Sequence, residues 1–302
     1  MIRWARRVLW AWLAWRLLGP QLPPPFQGVQ ERPLRLAGRT VLVGEREYFV
    51  REAGPAEAPP LVLVHGWGAD SLLNWYRVIP HLSGHFRVIA VDQRNHGKSD
   101  RVRGQYRVEG VADELAGVLD ALGIGRAVVA GYSMGGMVAQ VLAHRHPHRV
   151  SKLVLVATAA WMPWRARRPR RLLLRLGRAF ERLSPAEGAR LRQRYLLKAG
   201  AVEPRHARWL WETFMDRDAS LFYDAGLAAL GFDGREWVGR LDQSALLIIT
   251  THDQLVPPSA QHDLAGRLAD VSVVELGGAG HEASLTHSEE MAEAMIKFAE
   301  EG

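Results

Sequence analysis

Ser133 sits in Gly131-Tyr132-Ser133-Met134-Gly135-Gly136, directly after the apolar run Ala127-Val128-Val129-Ala130. A serine flanked by glycines between a buried strand and a helix is held at the tip of a sharp turn, its hydroxyl presented outward as a nucleophile. Small neighbours are needed because the turn strains the backbone and brings adjacent segments close. A serine hydroxyl attacks poorly near neutral pH without a base to take its proton and an acid to steady that base. His281, in Gly277-Gly278-Ala279-Gly280-His281-Glu282, follows the strand-like run 271–276; Asp253, in Thr250-Thr251-His252-Asp253, follows the run 245–250. Open α/β sheets assemble their sites at such strand ends. The chain order Ser133, Asp253, His281 is then nucleophile, acid, base. His252 adjoins the proposed acid, Asp242 precedes its strand and Glu282 adjoins the proposed base, so each is the weaker candidate.

Acyl transfer also needs donors for the negative charge that develops on the carbonyl oxygen. The backbone amides of Trp67, in His65-Gly66-Trp67-Gly68 after the apolar run 61–64, and of Met134 are the candidates. The Trp67 ring can also line a substrate entrance; the plainer reading is that His65 and Trp67 pack a turn. Tyr132, Trp161 and Trp164 join Trp67 as candidate substrate contacts. The polar turn 92–99 reads as scaffold, with Asp92 in a hydrogen-bonding role.

Positioning these residues takes a sheet covered on both faces. The runs 61–64, 86–91, 127–130, 153–157, 245–250 and 271–276 are short and largely apolar, as buried parallel strands are. Residues 34–43 and 47–53 read as earlier strands around a turn at Gly44. Val111, Leu115, Val118, Leu119 and Leu122 recur at helical spacing over 108–122; further helices are expected at 135–146, before Pro147, and at 289–300. From 158 to 238 helical segments replace the strand rhythm. The expected fold is therefore α/β, with a mostly parallel central sheet, flanking helices and a helical cap inserted after the sixth strand. The expected division is a leader and Pro-rich connector at 1–30, a core at 31–157 and 239–302, and a cap at 158–238.

The 302 residues are 48% hydrophobic, enough for a large core. With no cysteine, disulfides, thiolate nucleophiles and cysteine-ligated metals are excluded. The formal charge of +7 is concentrated in 1–18 (MIRWARRVLWAWLAWRLL) and 161–182 (WMPWRARRPRRLLLRLGRAFER). Arginine beside tryptophan and leucine suits the headgroup layer of a bilayer, where rings and aliphatic stems are buried while charges stay wet. No helix-turn-helix, zinc-finger or RNP pattern occurs, so no nucleic-acid partner is expected. The apolar run 8–15 is far short of the roughly 20 residues that span a bilayer. Gly19-Pro20 ends the segment, and no small-x-small cleavage site follows. An interfacial or reentrant anchor is expected, with a cytoplasmic or peripheral-membrane location. The alternatives are an export signal or a helix packed on the cap through its tryptophans. No metal, organic cofactor or protein partner is expected.

Together, the 65–68 loop, the 92–99 turn, 131–136, 253–257 and the Gly280-His281 ending resemble the α/β-hydrolase superfamily, in its serine esterase/lipase-like branch. The resemblance runs from residue 34 to the C-terminus. It implies a Ser133–His281–Asp253 triad, an oxyanion hole formed by Trp67 and Met134, and cleavage of carboxylic esters through an acyl-enzyme, with no cofactor. Serine at position 133 argues against the aspartate-nucleophile branches. The basic and aromatic leader and cap favour an apolar or lipid-like ester as the small-molecule partner, and an anionic membrane surface. The alternatives are carbon–carbon bond hydrolysis, perhydrolysis or acyl transfer on the same fold, and non-catalytic ligand binding or membrane-peripheral interaction.

Overall fold

The structure, a computed structural model, describes residues 19–163 and 168–301 (Arg168 by its backbone alone), and within the leader Arg6, Arg7, Trp10 and Trp15. The candidate Trp164 and the expected anchor over most of 1–18 lie outside the described residues.

The strands are β1 Gly38–Val43, β2 Arg46–Ala53, β3 Pro60–Val64, β4 Arg87–Val91, β5 Ala127–Tyr132, β6 Val150–Val156, β7 Ala245–Thr250 and β8 Val271–Leu276. They form one 8-stranded sheet in the order β1-β2-β4-β3-β5-β6-β7-β8. β2 pairs antiparallel with β1 and β4, and every other neighbour is parallel. β5 and β7 are buried along their whole length, as strands covered on both faces must be.

Period-2 alternation divides the core. Val62 and Val64 of β3 face the layer made by helices Val108–Ala121 and Met134–Arg145. Leu61 and Leu63 face the opposite layer, which contains Trp75, Leu82 and, from helix Ser288–Glu300, Met291, Met295 and Phe298. The expected strand over 34–43 begins only at Gly38. Leu34 and Leu36 leave the ladder to pack, half-buried, against the second layer and the helical insertion. Burying those two side chains outweighs extending an edge strand.

After β6 the chain leaves the sheet for helices Arg168–Leu183, Pro185–Lys198, Ala207–Met215 and Ala219–Gly231, then returns as β7. This insertion has its own apolar centre, including Ala189, Trp209, Leu210 and Phe214, which meets Leu72, Leu73 and Tyr76 of the body. The Pro-rich connector is held along it. Gln21 Oε1 accepts from the Ala186 amide at 3.0 Å, Gln30 Oε1 accepts from the Arg208 amide at 3.0 Å, and the Glu31 amide donates to the Arg205 carbonyl at 2.8 Å. Among the described residues, no helix is long and apolar enough to cross a membrane.

Candidate active site

Ser133 lies between the end of β5 and the first turn of helix Met134–Arg145, with φ 54° and ψ −117°. That backbone geometry is strained for any residue with a side chain, so the surroundings must hold it. The Ser133 amide donates to the Val156 carbonyl at 2.8 Å, and its carbonyl accepts from the Gly136 amide at 2.9 Å and from Thr158 Oγ1 at 2.7 Å. The glycines are dictated by space. A Cβ on Gly131 would lie 2.3 Å from the Gly135 carbonyl oxygen, and one on Gly135 would lie 2.2 Å from that of Val64.

β5, β7 and β8 run parallel, so the residues after their C-terminal ends share one edge of the sheet. There His281 Nδ1 stands 2.7 Å from Asp253 Oδ2. Oδ2 also accepts from Thr250 Oγ1 at 3.0 Å, while Oδ1 accepts from the amides of Leu255 and Val256 at 2.8 and 2.9 Å. An Asp253 carboxylate so loaded with donors binds the His281 proton on Nδ1, leaving Nε2 as an acceptor. Tyr132, the residue before Ser133, reaches the same loop: its ring centre is 5.8 Å from that of His281, and its hydroxyl donates to the His281 carbonyl at 2.7 Å. Among the described residues, no hydrogen bond joins Ser133 Oγ to His281 Nε2. Contacts of this kind commonly tighten only with substrate bound.

The 65–68 loop packs against the serine turn, where a Cβ on Gly66 would lie 3.2 Å from Ser133 Cβ. Its shape is set by polar side chains. Asn74 Oδ1 accepts from the Gly66 amide at 2.7 Å, and Asn74 Nδ2 donates to Ser284 Oγ at 3.0 Å, tying this loop to the segment after His281. His65 is fully buried; Nε2 accepts from the Gln93 amide at 3.0 Å, so the proton sits on Nδ1 and donates to the Gly66 carbonyl at 2.8 Å. Burial holds the His65 pKa below its ordinary value. Among the described residues, the amides of Trp67 and Met134 have no partner within the protein.

Asp92 is buried with Arg51 at 3.1 Å and also accepts from the amides of Ser71 and Lys98, both at 2.9 Å. It organises the 92–99 turn. Trp67 stacks on Phe222 with ring centres 4.6 Å apart and donates from Nε1 to the Phe222 carbonyl at 2.7 Å, clasping the insertion to the sheet edge. Tyr132 is buried and braces the His281 loop, while Trp161 donates from Nε1 to Asp263 at 3.0 Å under the Arg235 guanidinium. A cavity of about 920 Å³ lies apart from Ser133, Asp253 and His281, bounded by basic groups such as Arg51, Lys98 and Arg217. Among the described residues, no cluster of His, Asp and Glu could hold a metal ion. Sequence reasoning did not single out Asn74 or Thr158; the position of Asn74, eight residues after Gly66, carries no signal of its own.

The family described as alpha/beta hydrolase fold matches residues 59–288. The 2-hydroxy-6-oxo-2,4-heptadienoate hydrolase of Pseudomonas putida is 43% identical over 122 residues, 39% of this chain and 44% of that protein, so the match spans less than half of that relative. A putative carbamate hydrolase RutD of Caulobacter vibrioides is 27% identical over 260 residues, covering 84% of this chain and 95% of the relative. Among solved structures, the enol-lactonase of Burkholderia xenovorans LB400 superposes with a TM-score of 0.76 at 27% identity, covering 87% of this chain and 100% of its own. A bacterial membrane phospholipase A gives a TM-score of 0.70 at 27% identity, covering 87% and 86%. With its sheet order, its insertion after β6 and the family match over most of its length, the chain belongs to the α/β-hydrolase superfamily.

Proposed function

We propose that the protein is a serine hydrolase of carboxylic esters, with Ser133 as nucleophile, His281 as base and Asp253 as its acidic partner. The reading rests chiefly on one observation: the 2.7 Å His281–Asp253 hydrogen bond, at the same sheet edge as a strained Ser133. Ser133 Oγ attacks the ester carbonyl as His281 Nε2 takes its proton; the amides of Trp67 and Met134 hold the oxyanion. The tetrahedral intermediate collapses, the C–O bond to the alcohol breaks, and His281 returns the proton to the leaving oxygen. Water, deprotonated by the same nitrogen, then cleaves the acyl–Ser133 bond and releases the acid.

The insertion, as a cap over 158–238, supplies the apolar surroundings of an apolar or lipid-like ester; Trp67, packed on Phe222, sits where cap meets sheet edge. Similar structures that include an enol-lactonase and a phospholipase A support ester chemistry. Carbon–carbon bond hydrolysis is the second reading, favoured by the 43% identity to the 2-hydroxy-6-oxo-2,4-heptadienoate hydrolase.

Initial rates on p-nitrophenyl esters of increasing acyl length, with Ser133→Ala as the blank, test the proposal. Ser133-dependent release of p-nitrophenol, rising with chain length, is expected. Folded protein that turns over no ester but cleaves a vinylogous 1,5-diketone would replace it with the second reading.

A further inference from the structure

Helix Arg168–Leu183 is packed inside out. Its sequence, RPRRLLLRLGRAFERL, places Leu172, Leu173, Leu176, Phe180 and Leu183 in one stripe at about 100° per residue. A stripe of this kind normally faces the core. Here the five side chains are 56, 68, 58, 37 and 52% exposed, in that order. The side turned inward instead carries Leu174, Gly177, Arg178 and Glu181. Arg178 pairs with Asp224 at 2.7 Å, Arg182 Nε donates to Ser220 Oγ at 2.8 Å, and the buried Glu181 accepts from Tyr223 at 2.7 Å and from Arg192 at 2.5 and 2.6 Å. The helix is therefore held to the protein by these polar contacts and by the close approach of Gly177 to Tyr223, and it offers the five apolar side chains of the stripe to the outside.

We propose that this helix docks the protein on an anionic phospholipid bilayer. Its leucines and Phe180 would enter the boundary between headgroups and acyl chains, with Arg171 and Arg175 at the phosphates. Both arginines are exposed beside the stripe and lack a carboxylate partner among the described residues. Charge decides between the occupants such a stripe could have. The helix carries six arginines against one glutamate, on a chain of formal charge +7. A second copy would bring two equally basic faces together, whereas an anionic surface complements both the stripe and its charge. The following helix also exposes Leu191 and Tyr195, and the Tyr195 hydroxyl donates to Glu282 at 2.9 Å, next to His281. The docking surface thus adjoins the candidate base. It does not depend on the role proposed for Ser133.

Full-length protein sedimented with vesicles of phosphatidylcholine alone, or mixed with phosphatidylglycerol, tests this. The wild type is expected to bind the mixed vesicles preferentially, and added salt to weaken that binding. Leu173→Glu/Leu176→Glu should lower partitioning about tenfold or more, because two charges must enter the apolar layer. Arg171→Glu/Arg175→Glu should erase the preference for phosphatidylglycerol. Both variants should keep the wild-type Tm, since the four side chains are exposed. Wild-type binding by the leucine variant would overturn the proposal and assign the membrane to another segment. So would a wild-type protein that ignores both vesicles, or one that self-associates through the stripe and becomes monomeric in the leucine variant.

Discussion

The Tyr132 hydroxyl donates a 2.7 Å hydrogen bond to the carbonyl of His281, so the residue before the serine holds the residue proposed as its base. Burial, then the Asp253 charge, pushes the Tyr132 pKa up, and the hydroxyl stays a neutral donor. Tyr132→Phe keeps the ring and strands the carbonyl. It is expected to cost about 1 kcal/mol in stability and to lower kcat about tenfold through misplacement of His281, with KM nearly unchanged. Thermal unfolding and steady-state rates on one p-nitrophenyl ester check both.

Asp253→Asn tests the tautomer. Asparagine offers an N–H where Oδ2 now accepts, which favours the wrong protonation of His281. On the proposed mechanism kcat falls by about 10³–10⁴ while the fold survives. A loss below about tenfold would remove Asp253 from the triad.

Asn74→Ala should separate positioning from chemistry. It leaves the buried Gly66 amide without an acceptor and frees Ser284. The expected cost is about 1–3 kcal/mol in unfolding free energy. A fall in kcat larger than any change in KM is also expected, because the amide of Trp67 is carried by the same loop. Asn74→Asp keeps the acceptor for Gly66 and should recover part of the rate.

The sequence marks Ser133, Asp253 and His281 because their cues are local: glycine spacing, apolar strand runs and the residues just beyond them. Asn74 and Thr158 act through contacts that no local pattern announces; Asn74 meets Ser284 across 210 residues of chain. The sequence marks 161–182 only as a basic, leucine-bearing stretch of the helical insertion; which side of helix Arg168–Leu183 turns inward depends on Asp224, Ser220 and Arg192, which lie on other helices.

Two buried histidines set an acid limit. Burial lowers the pKa of His65, and that of His96 is lowered further by burial and then by its neighbour His65. Both are neutral when folded and titrate near 6.5 when unfolded. The unfolded chain therefore binds more protons below that value, and stability, full above it, declines as pH falls toward the folded pKa values. Urea midpoints at pH 7, 6 and 5 should drop in that order. His96→Asn, which preserves a donor toward the Arg94 carbonyl, should flatten the slope by about one proton.

Gly135→Ala is expected to be among the most damaging single changes. Its methyl group would meet the backbone of Val64 and His65 rather than a movable side chain. A loss of roughly 3 kcal/mol is expected, read as a lowered urea midpoint.

Because the insertion separates β6 from β7, six of the eight strands emerge from the ribosome well before the last two. β5 and β6 can pair, with the serine turn already formed, while all four inserted helices are still to come. Bringing β7 alongside β6 closes a long loop, whose entropic penalty grows only with the logarithm of its length. Asp253 and His281 reach the sheet edge only with that late closure, so the Ser133 turn exists for a time without the residue proposed as its base. On the proposed mechanism, a nascent chain stalled inside the insertion would be a partly formed sheet that is chemically inert.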